Sequence, residues 1–258
     1  MDEYAAIADL YDHVVPYRDR HDVDFFVAAA RESGGPVLEV GCGTGRILIP
    51  TARAGFAITG LDLSPSMLAI CRRRVAAEPP EVRARVSLVA SDMRDFRLAR
   101  RFALATIPFR PFQHLLTVGD QLACLTTIRS HLVSGGKLIL DLFNPSLDAL
   151  VQGVGETVGT EPEFTMPDGR RIIRHHRITA RDRFNQINDV ELLYDTTHPD
   201  GRAERMVQAF RMRYLFRFEA EHLLARAGFA IDALYADYDR SAYGSKYPGE
   251  LIFVARNL

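Results

Sequence analysis

Glycines at three alternate positions, Gly41, Gly43 and Gly45, lie between an apolar run at residues 36–40 and a helical pattern at residues 46–54, in the stretch VLEVGCGTGRILIP. A strand that ends in such a turn and feeds a helix is the opening of a βαβ unit. The missing side chains let backbone approach a ligand closely, and the helix N–H groups point outward at it. No other feature restricts the architecture as much, because a βαβ opening commits the chain to parallel strands with helices on the faces of the sheet.

The first half of the chain follows that commitment. Gly55 stops the first helix where a left-handed residue is wanted, and residues 56–61 form the next strand. Ser64 and Pro65 open a second helix as N-cap and first helical residue. Further strands are expected at residues 85–90, 102–107 and 137–143. A helix over residues 118–132 precedes the last of these and ends at Gly135-Gly136. The heptapeptide ARAGFAI occurs at residues 52–58 and again at 225–231. The flanks differ, so the repetition reads as one physical solution used twice: helix end, left-handed glycine, apolar strand start.

Beyond the fifth strand the pattern changes. Residues 170–180, 189–194 and 203–216 read as strands, punctuated by Pro167-Asp168-Gly169 and Pro199-Asp200-Gly201 turns. The chain is therefore expected to divide into three parts. These are an N-terminal helical flap (1–35), a cofactor-binding α/β domain (36–150 and 217–258), and an antiparallel β insertion (151–216) serving as a substrate lid. From Asp168 to Arg217 there are eleven arginines and seven acids. They read as a solvated sheet face, with a cationic lid over an acidic substrate as the alternative.

Composition excludes several function classes. A net charge of -1 gives no basic field for nucleic acid. No apolar run approaches the roughly 20 residues of a membrane span, and Met1-Asp2-Glu3 is not followed by the apolar core of a secretory leader. Cys42, Cys71 and Cys124 are scattered, with no C-x-x-C pair, which is the usage of a reduced, cytoplasmic protein without disulfides or a zinc site. His175-His176 has no partner at metal-ligand spacing, so no metal is expected.

A dinucleotide fingerprint reads G-x-G-x-x-G, and here the sixth position is Arg46. A nicotinamide or flavin enzyme uses a glycine there for close packing beside the pyrophosphate. Glu39, just before Gly41, would repel a pyrophosphate but would suit an ammonium group. Asp62 ends the second strand about twenty residues on, where a carboxylate takes both hydroxyls of a ribose. Asp92 ends the third strand beside Met93, which suits adenine: one polar edge contact and an apolar surface. Taken singly, Asp62 could cap a helix and Asp92 could terminate a strand. Together with the loop they are three signals at successive strand ends on one sheet edge.

At this point the sequence resembles the class I S-adenosylmethionine-dependent methyltransferases, strongly from Tyr4 to Asn144. LEVGCGTG (38–45) matches their first motif, GLDLSPSML (60–68) the ribose segment and SDMRDF (91–96) the adenine segment. The resemblance implies a doubly wound, seven-stranded, mostly parallel sheet in a Rossmann-like α/β fold. Its sixth strand falls at Phe229–Tyr235 and its antiparallel last strand at residues 251–255. It implies S-adenosyl-L-methionine as cofactor and S-adenosyl-L-homocysteine as product. Residues 112–145, with the insertion after the fifth strand, are similar to glycine N-methyltransferase and the aminosugar N-methyltransferases. In that group a His matching His114 and a Tyr matching Tyr11 lie near the acceptor nitrogen.

The implied cofactor-binding set is Tyr11, Tyr17, Glu39, Gly41, Cys42, Gly43, Gly45, Arg46, Asp62, Leu63, Met67, Asp92, Met93, Ile107 and Pro108. The implied acceptor site is Arg110, Phe112 and His114, with His114 and Tyr11 as catalytic residues. PFRPFQHL departs from the group, since Arg110-Pro111 stands where a small polar pair is common. Arg110 either meets an acceptor carboxylate or packs on the lid.

The chemistry asked of these residues is in-line methyl transfer to a small-molecule acceptor, with nitrogen preferred over oxygen. Positioning and desolvation supply most of the acceleration. An amine acceptor must be neutral, and a His-type base serves that near pH 7; the plainer reading of His114 is a histidine capping a neighbouring backbone group. Tyr4, Ile7, Tyr11 and Val14 share one helical face. That face is either core packing or a flap closing Tyr11 and Tyr17 over the cofactor. Rival functions are a nicotinamide-dependent oxidoreductase, against which Arg46 and Asp92 speak, and a non-catalytic S-adenosylmethionine-binding subunit. A homodimer is left open.

Overall fold

The structure, a computed structural model, describes residues 2–151, 153–155 and 157–258. The chain begins in overlapping turns that run into a 3-10 turn at Tyr11–His13, then α1 (Val15–Arg18) and α2 (Val23–Ser33). The expected helical flap is thus not a regular α-helix before Val15. Ile7, Leu10 and His13 donate their N–H groups to the carbonyls of Tyr4, Ile7 and Leu10, three residues back, and Pro16 has no N–H with which to continue an α-helical ladder. Of the face that the spacing marks, Ile7 and Val14 are buried and Tyr4 and Tyr11 half-buried, and Leu10, outside that face, is buried with them.

The main sheet is assembled from β1 (Val37–Val40), α3 (Leu48–Arg53), β2 (Ile58–Asp62), α4 (Pro65–Ala76), α5 (Pro80–Arg83), β3 (Val86–Ala90) and β4 (Phe102–Ile107). A 3-10 turn at Pro111–His114, α6 (Val118–His131), β5 (Leu132–Phe143) and α7 (Leu147–Val151) follow. The strand order β11-β12-β5-β4-β1-β2-β3 is completed by β11 (Phe229–Tyr235) and β12 (Glu250–Asn257), which come after α8 (Arg217–Arg226). All neighbours pair in parallel except β12, antiparallel to both β5 and β11. This is the seven-stranded doubly wound sheet that the resemblance implied.

Its strands read as continuous apolar runs because both faces are covered. Leu38, Val40 and Phe102 join a core with Leu125 of α6 and Leu224 of α8, while Val37, Ile58 and Leu104 join one with Phe26 of α2 and Leu48 of α3. Both copies of ARAGFAI do the same work. Gly55 (φ +102°) and Gly228 (φ +87°) turn a helix end into a strand start. Strand order reverses between β1 and β4, and the crevice at their carboxyl ends is where such sheets bind ligands.

The insertion forms a second, antiparallel sheet from β6 (Thr157–Thr160), β7 (Phe164–Thr165), β8 (Arg171–Asp182), β9 (Ile187–Thr197) and β10 (Ala203–Arg213), in the order β10-β9-β8-β6 with β7 on β8. Register aligns Arg174 with Tyr194 and Met206, and Leu192 with Gln208. Ile172, Leu192, Tyr194, Met206 and Phe210 pack on Ile7, Leu10 and Val14. Four arginines of this sheet are matched by acids: Arg174 by Glu161, Arg177 by Glu191, Arg205 by Asp195 and Arg211 by Asp189.

Candidate active site

A cavity of 1220 Å³ opens at the carboxyl ends of the central strands, beneath the inner face of the β8–β10 sheet and beside the N-terminal segment. Its floor is the glycine loop. Gly41 (φ +74°) and Gly43 (φ +52°) line the cavity, and a Cβ on Gly41 would stand 2.7 Å from Pro111. Gly45 and Cys42 shape the loop from behind: Cys42 is buried, and a Cβ on Gly45 would stand 2.8 Å from the Cys71 sulfur.

Asp62 is locked to this loop. Its Oδ2 accepts the Gly43 N–H at 2.8 Å and its Oδ1 the Ser64 N–H at 2.9 Å. Burial raises its pKa, and the backbone donors oppose that rise. Leu63, Met67 and Met93 supply apolar surface around it. Asp92 also lines the cavity, but Arg94 grips its carboxylate, with Nη2 2.6 Å from Oδ2, and reaches Asp120 at 2.9 Å. That guanidinium hydrogen bond holds Asp92 below its ordinary pKa.

Glu39 is fully buried on β1, and its Oε2 has no hydrogen-bond partner among the described residues. Burial pushes its pKa well above the carboxylate range. It sits behind the loop and does not line the cavity.

Four expected site residues point elsewhere. Arg46 turns away and grips Asp22, fully buried, at 2.5 and 2.7 Å. Arg110 closes on both oxygens of Glu250, at 2.7 and 2.6 Å, and stacks over Phe143. It borders the cavity with Nη2 taken by Glu250, while its buried Nε has no partner among the described residues. Ile107 and Phe112 are fully buried in the core beneath the site, while Pro108 and Phe109 take the lining positions. The cause is local backbone: Phe109 (φ 62°) and Arg110 (φ 70°) are consecutive left-handed residues, an arrangement that side chains adopt only under constraint. The constraint is Asp141, whose Oδ2 accepts the Phe109 N–H at 2.9 Å and the Tyr238 hydroxyl at 2.6 Å.

Phe109 anchors an aromatic cluster over the loop. Its ring lies 4.6 Å from that of Tyr17, and Tyr17 lies 4.8 Å from Tyr11. Burial pushes the Tyr11 pKa well up, so it stays a neutral phenol. Arg174 of β8 stacks on Tyr17, 4.3 Å from the ring centre. Two carboxylates pin the N-terminal segment across the site. Asp12 accepts from Thr44 and Arg74, both at 2.7 Å. Asp2 accepts from the Ser64 hydroxyl at 2.8 Å and the Ser66 N–H at 3.0 Å.

His114 lines the cavity from the Pro111–His114 turn, with its ring 5.3 Å from that of Phe210 on β10. Its side chain caps no backbone group among the described residues, and burial lowers its pKa below 6.5. The sequence reading missed Phe109, Arg174, Gln208 and Phe210. Alternation along β10 singles out the last two, since Met206, Gln208, Phe210 and Met212 fall on one face; no local signal marks Phe109. The described residues hold no group of three or more His, Cys, Asp or Glu able to bind a metal. No helix among them is long and apolar enough to cross a membrane.

A doubly wound sheet with an antiparallel last strand, a glycine turn after β1 and an acid after β2 defines the class I S-adenosylmethionine-dependent methyltransferases. Residues 37–136 match the methyltransferase domain family. The chain is 27% identical over 236 residues to the dTDP-3-amino-3,6-dideoxy-alpha-D-glucopyranose N,N-dimethyltransferase of Streptomyces fradiae, covering 88% of this chain and 84% of that one. The CcbJ methyltransferase of Streptomyces caelestis superposes with a TM-score of 0.78 over 100% of this chain and 98% of its own, at 23% identity. S-adenosylmethionine-bound CalS10, an amino pentose methyltransferase from Micromonospora echinaspora, superposes with a TM-score of 0.69 at 25% identity, over 93% of each chain. The fold, the domain match and these relatives support a class I S-adenosylmethionine-dependent methyltransferase.

Proposed function

We propose that this enzyme methylates the nitrogen of a small-molecule amine of the aminosugar kind. One observation carries the reading: a single continuous cavity runs from Gly41, Gly43 and Asp62 to His114 and Phe210. Single-ligand pockets span roughly 300–1,000 Å³, and 1220 Å³ leaves room for an acceptor beside the cofactor.

Cofactor fit is supported by this chain's own groups. An ionised carboxylate accepts at about four lone-pair sites, so Asp62 keeps capacity for ribose hydroxyls after binding two N–H groups. Leu63, Met67 and Met93 offer an apolar surface to adenine, whose amino group would share Asp92 with Arg94. The unpartnered Glu39 oxygen suits an ammonium group reached through the loop or a bridging water. The bound cofactor supplies a sulfonium methyl with a good leaving group. Tyr11, Tyr17 and Phe109 exclude water from the transfer. His114, neutral at pH 7, takes the proton that the acceptor nitrogen must lose.

Calorimetry should show S-adenosylmethionine and S-adenosylhomocysteine binding and no heat with NAD. Among acceptors, aminosugars should be methylated and phenols not; the reverse preference would overturn the nitrogen assignment. Asp62→Ala removes charge-assisted bonds worth about 1.5–3 kcal/mol, so S-adenosylhomocysteine affinity should fall tenfold to a hundredfold. An unchanged dissociation constant in the folded variant would remove Asp62 from the ribose.

A further inference from the structure

The rim and roof of the cavity carry two kinds of polar group, and they differ in whether they are already matched. Five guanidiniums line it, and each holds a carboxylate. Arg20 holds Asp22 and Glu250, Arg94 holds Asp92 and Asp120, Arg110 holds Glu250, Arg174 holds Glu161 and Arg211 holds Asp189. An anion placed here meets cations that are neutralised by their neighbours, and burying an unmatched charge is costly.

Two atoms on the inner face of the β8–β10 sheet remain without a partner, one of them on a guanidinium whose charge Glu161 already matches. Gln208 is 7% exposed, and its amide nitrogen reaches the Glu3 carbonyl at 3.5 Å, leaving Oε1 buried with no partner among the described residues. Arg174 is 4% exposed; Glu161 takes its Nε and Nη2, leaving Nη1 buried and without a partner. Both residues line the cavity. Buried polar atoms in folded proteins are almost always paired. One unmatched acceptor and one unmatched donor on the roof of a ligand cavity therefore describe what the ligand brings: an O–H or N–H for Gln208 and an oxygen for Arg174.

We propose that the acceptor is an amine on an uncharged, hydroxylated ring, an aminosugar glycoside carrying no phosphate, and that Gln208 and Arg174 anchor its ring oxygens. This rests on the N-methyltransferase reading of the site. It sets the enzyme apart from the relative whose name specifies a dTDP-linked sugar. In reaction order, the enzyme acts after a glycosyl transfer has released the nucleotide.

The test uses the full chain loaded with S-adenosylhomocysteine. Calorimetry compares a set of methyl aminohexosides, with the amine placed around the ring, against their dTDP-linked counterparts and dTDP alone. At least one glycoside should bind tenfold or more tightly than its nucleotide counterpart, and dTDP should give no heat. Gln208→Leu should weaken glycoside binding about tenfold, the loss of one buried hydrogen bond. Thermal stability should hold or rise, since an unmatched polar atom is removed, and S-adenosylhomocysteine affinity should not move. Tighter binding of the nucleotide sugars, displaceable dTDP, or full glycoside affinity in Gln208→Leu would overturn the proposal. Glycoside binding without methyl transfer from S-adenosylmethionine would uphold the anchoring site and sink the catalytic reading instead.

Discussion

Asp22→Ala should lose about 3–5 kcal/mol of folding stability, the cost of leaving buried charge without its counterion. Asp22 is fully buried at the start of α2, but its side chain does not cap that helix. It faces Arg46 through two contacts, at 2.5 and 2.7 Å, and Arg20 Nε at 3.2 Å. Truncation strands the Arg46 guanidinium, 17% exposed, beside a vacated pocket. Arg20 keeps Glu250, Asp141 and the Tyr238 hydroxyl, so the loss concentrates on Arg46. Domains are stable by roughly 5–15 kcal/mol, so the variant sits near its unfolding threshold at 37 °C. Denaturant melts should show a lower midpoint with an unchanged slope. Asp22→Leu combined with Arg46→Met removes both charges at similar volume and should recover most of the loss. A fall of less than about 1 kcal/mol would show that solvent reaches Arg46 freely, and that the pair is an ordinary surface bridge.

The same pair shows where the sequence stops being informative. Arg46 follows the glycine loop directly, so its neighbours in the chain assign it to the cofactor; its partner, 24 residues upstream, assigns it to the packing of α2. Arg110 repeats the lesson, since Glu250 lies 140 residues away and nothing in PFRPFQHL announces it. Local signals fared better. The glycine turn, the Ser64 cap on the Met67 N–H at 3.1 Å and both left-handed glycines of ARAGFAI depend on residues within a few positions of one another, and each stands where the sequence put it. Strand alternation carried enough to find the inner face of the β8–β10 sheet once its register was known. Ile107 and Phe112 went astray for a reason that no pattern encodes. Two left-handed residues after β4 rotate the chain, so Pro108, Phe109, Arg110, Pro111 and His114 line the cavity while Ile107 and Phe112 turn into the core.

His114→Ala should lower turnover by about a hundredfold to ten-thousandfold, the usual contribution of one positioned base, with S-adenosylhomocysteine affinity unchanged. The geometry gives the expectation its content. His114 is held by the turn that follows β4, with its ring against Phe210 of β10 and no side-chain partner of its own among the described residues. A histidine so placed is free to take a proton from whatever occupies the space below it. Burial lowers its pKa below 6.5, so the neutral, proton-accepting form prevails at neutral pH. The acid limb of kcat/KM should therefore fall below 6.5, with activity rising as pH climbs through the lowered value, and it should vanish in His114→Ala. Stability gives an independent readout. The unfolded chain binds a proton at His114 more readily than the folded one, so stability is lost as pH falls below 6.5 towards the lowered folded value. His114→Ala should blunt that loss. Replacement by glutamine keeps a hydrogen-bonding side chain but no base, so His114→Gln should restore KM without restoring kcat. Full turnover in His114→Ala on an identified acceptor would reduce the residue to a packed aromatic, and wild-type-like kcat in His114→Gln would make it an orienting group and not a base.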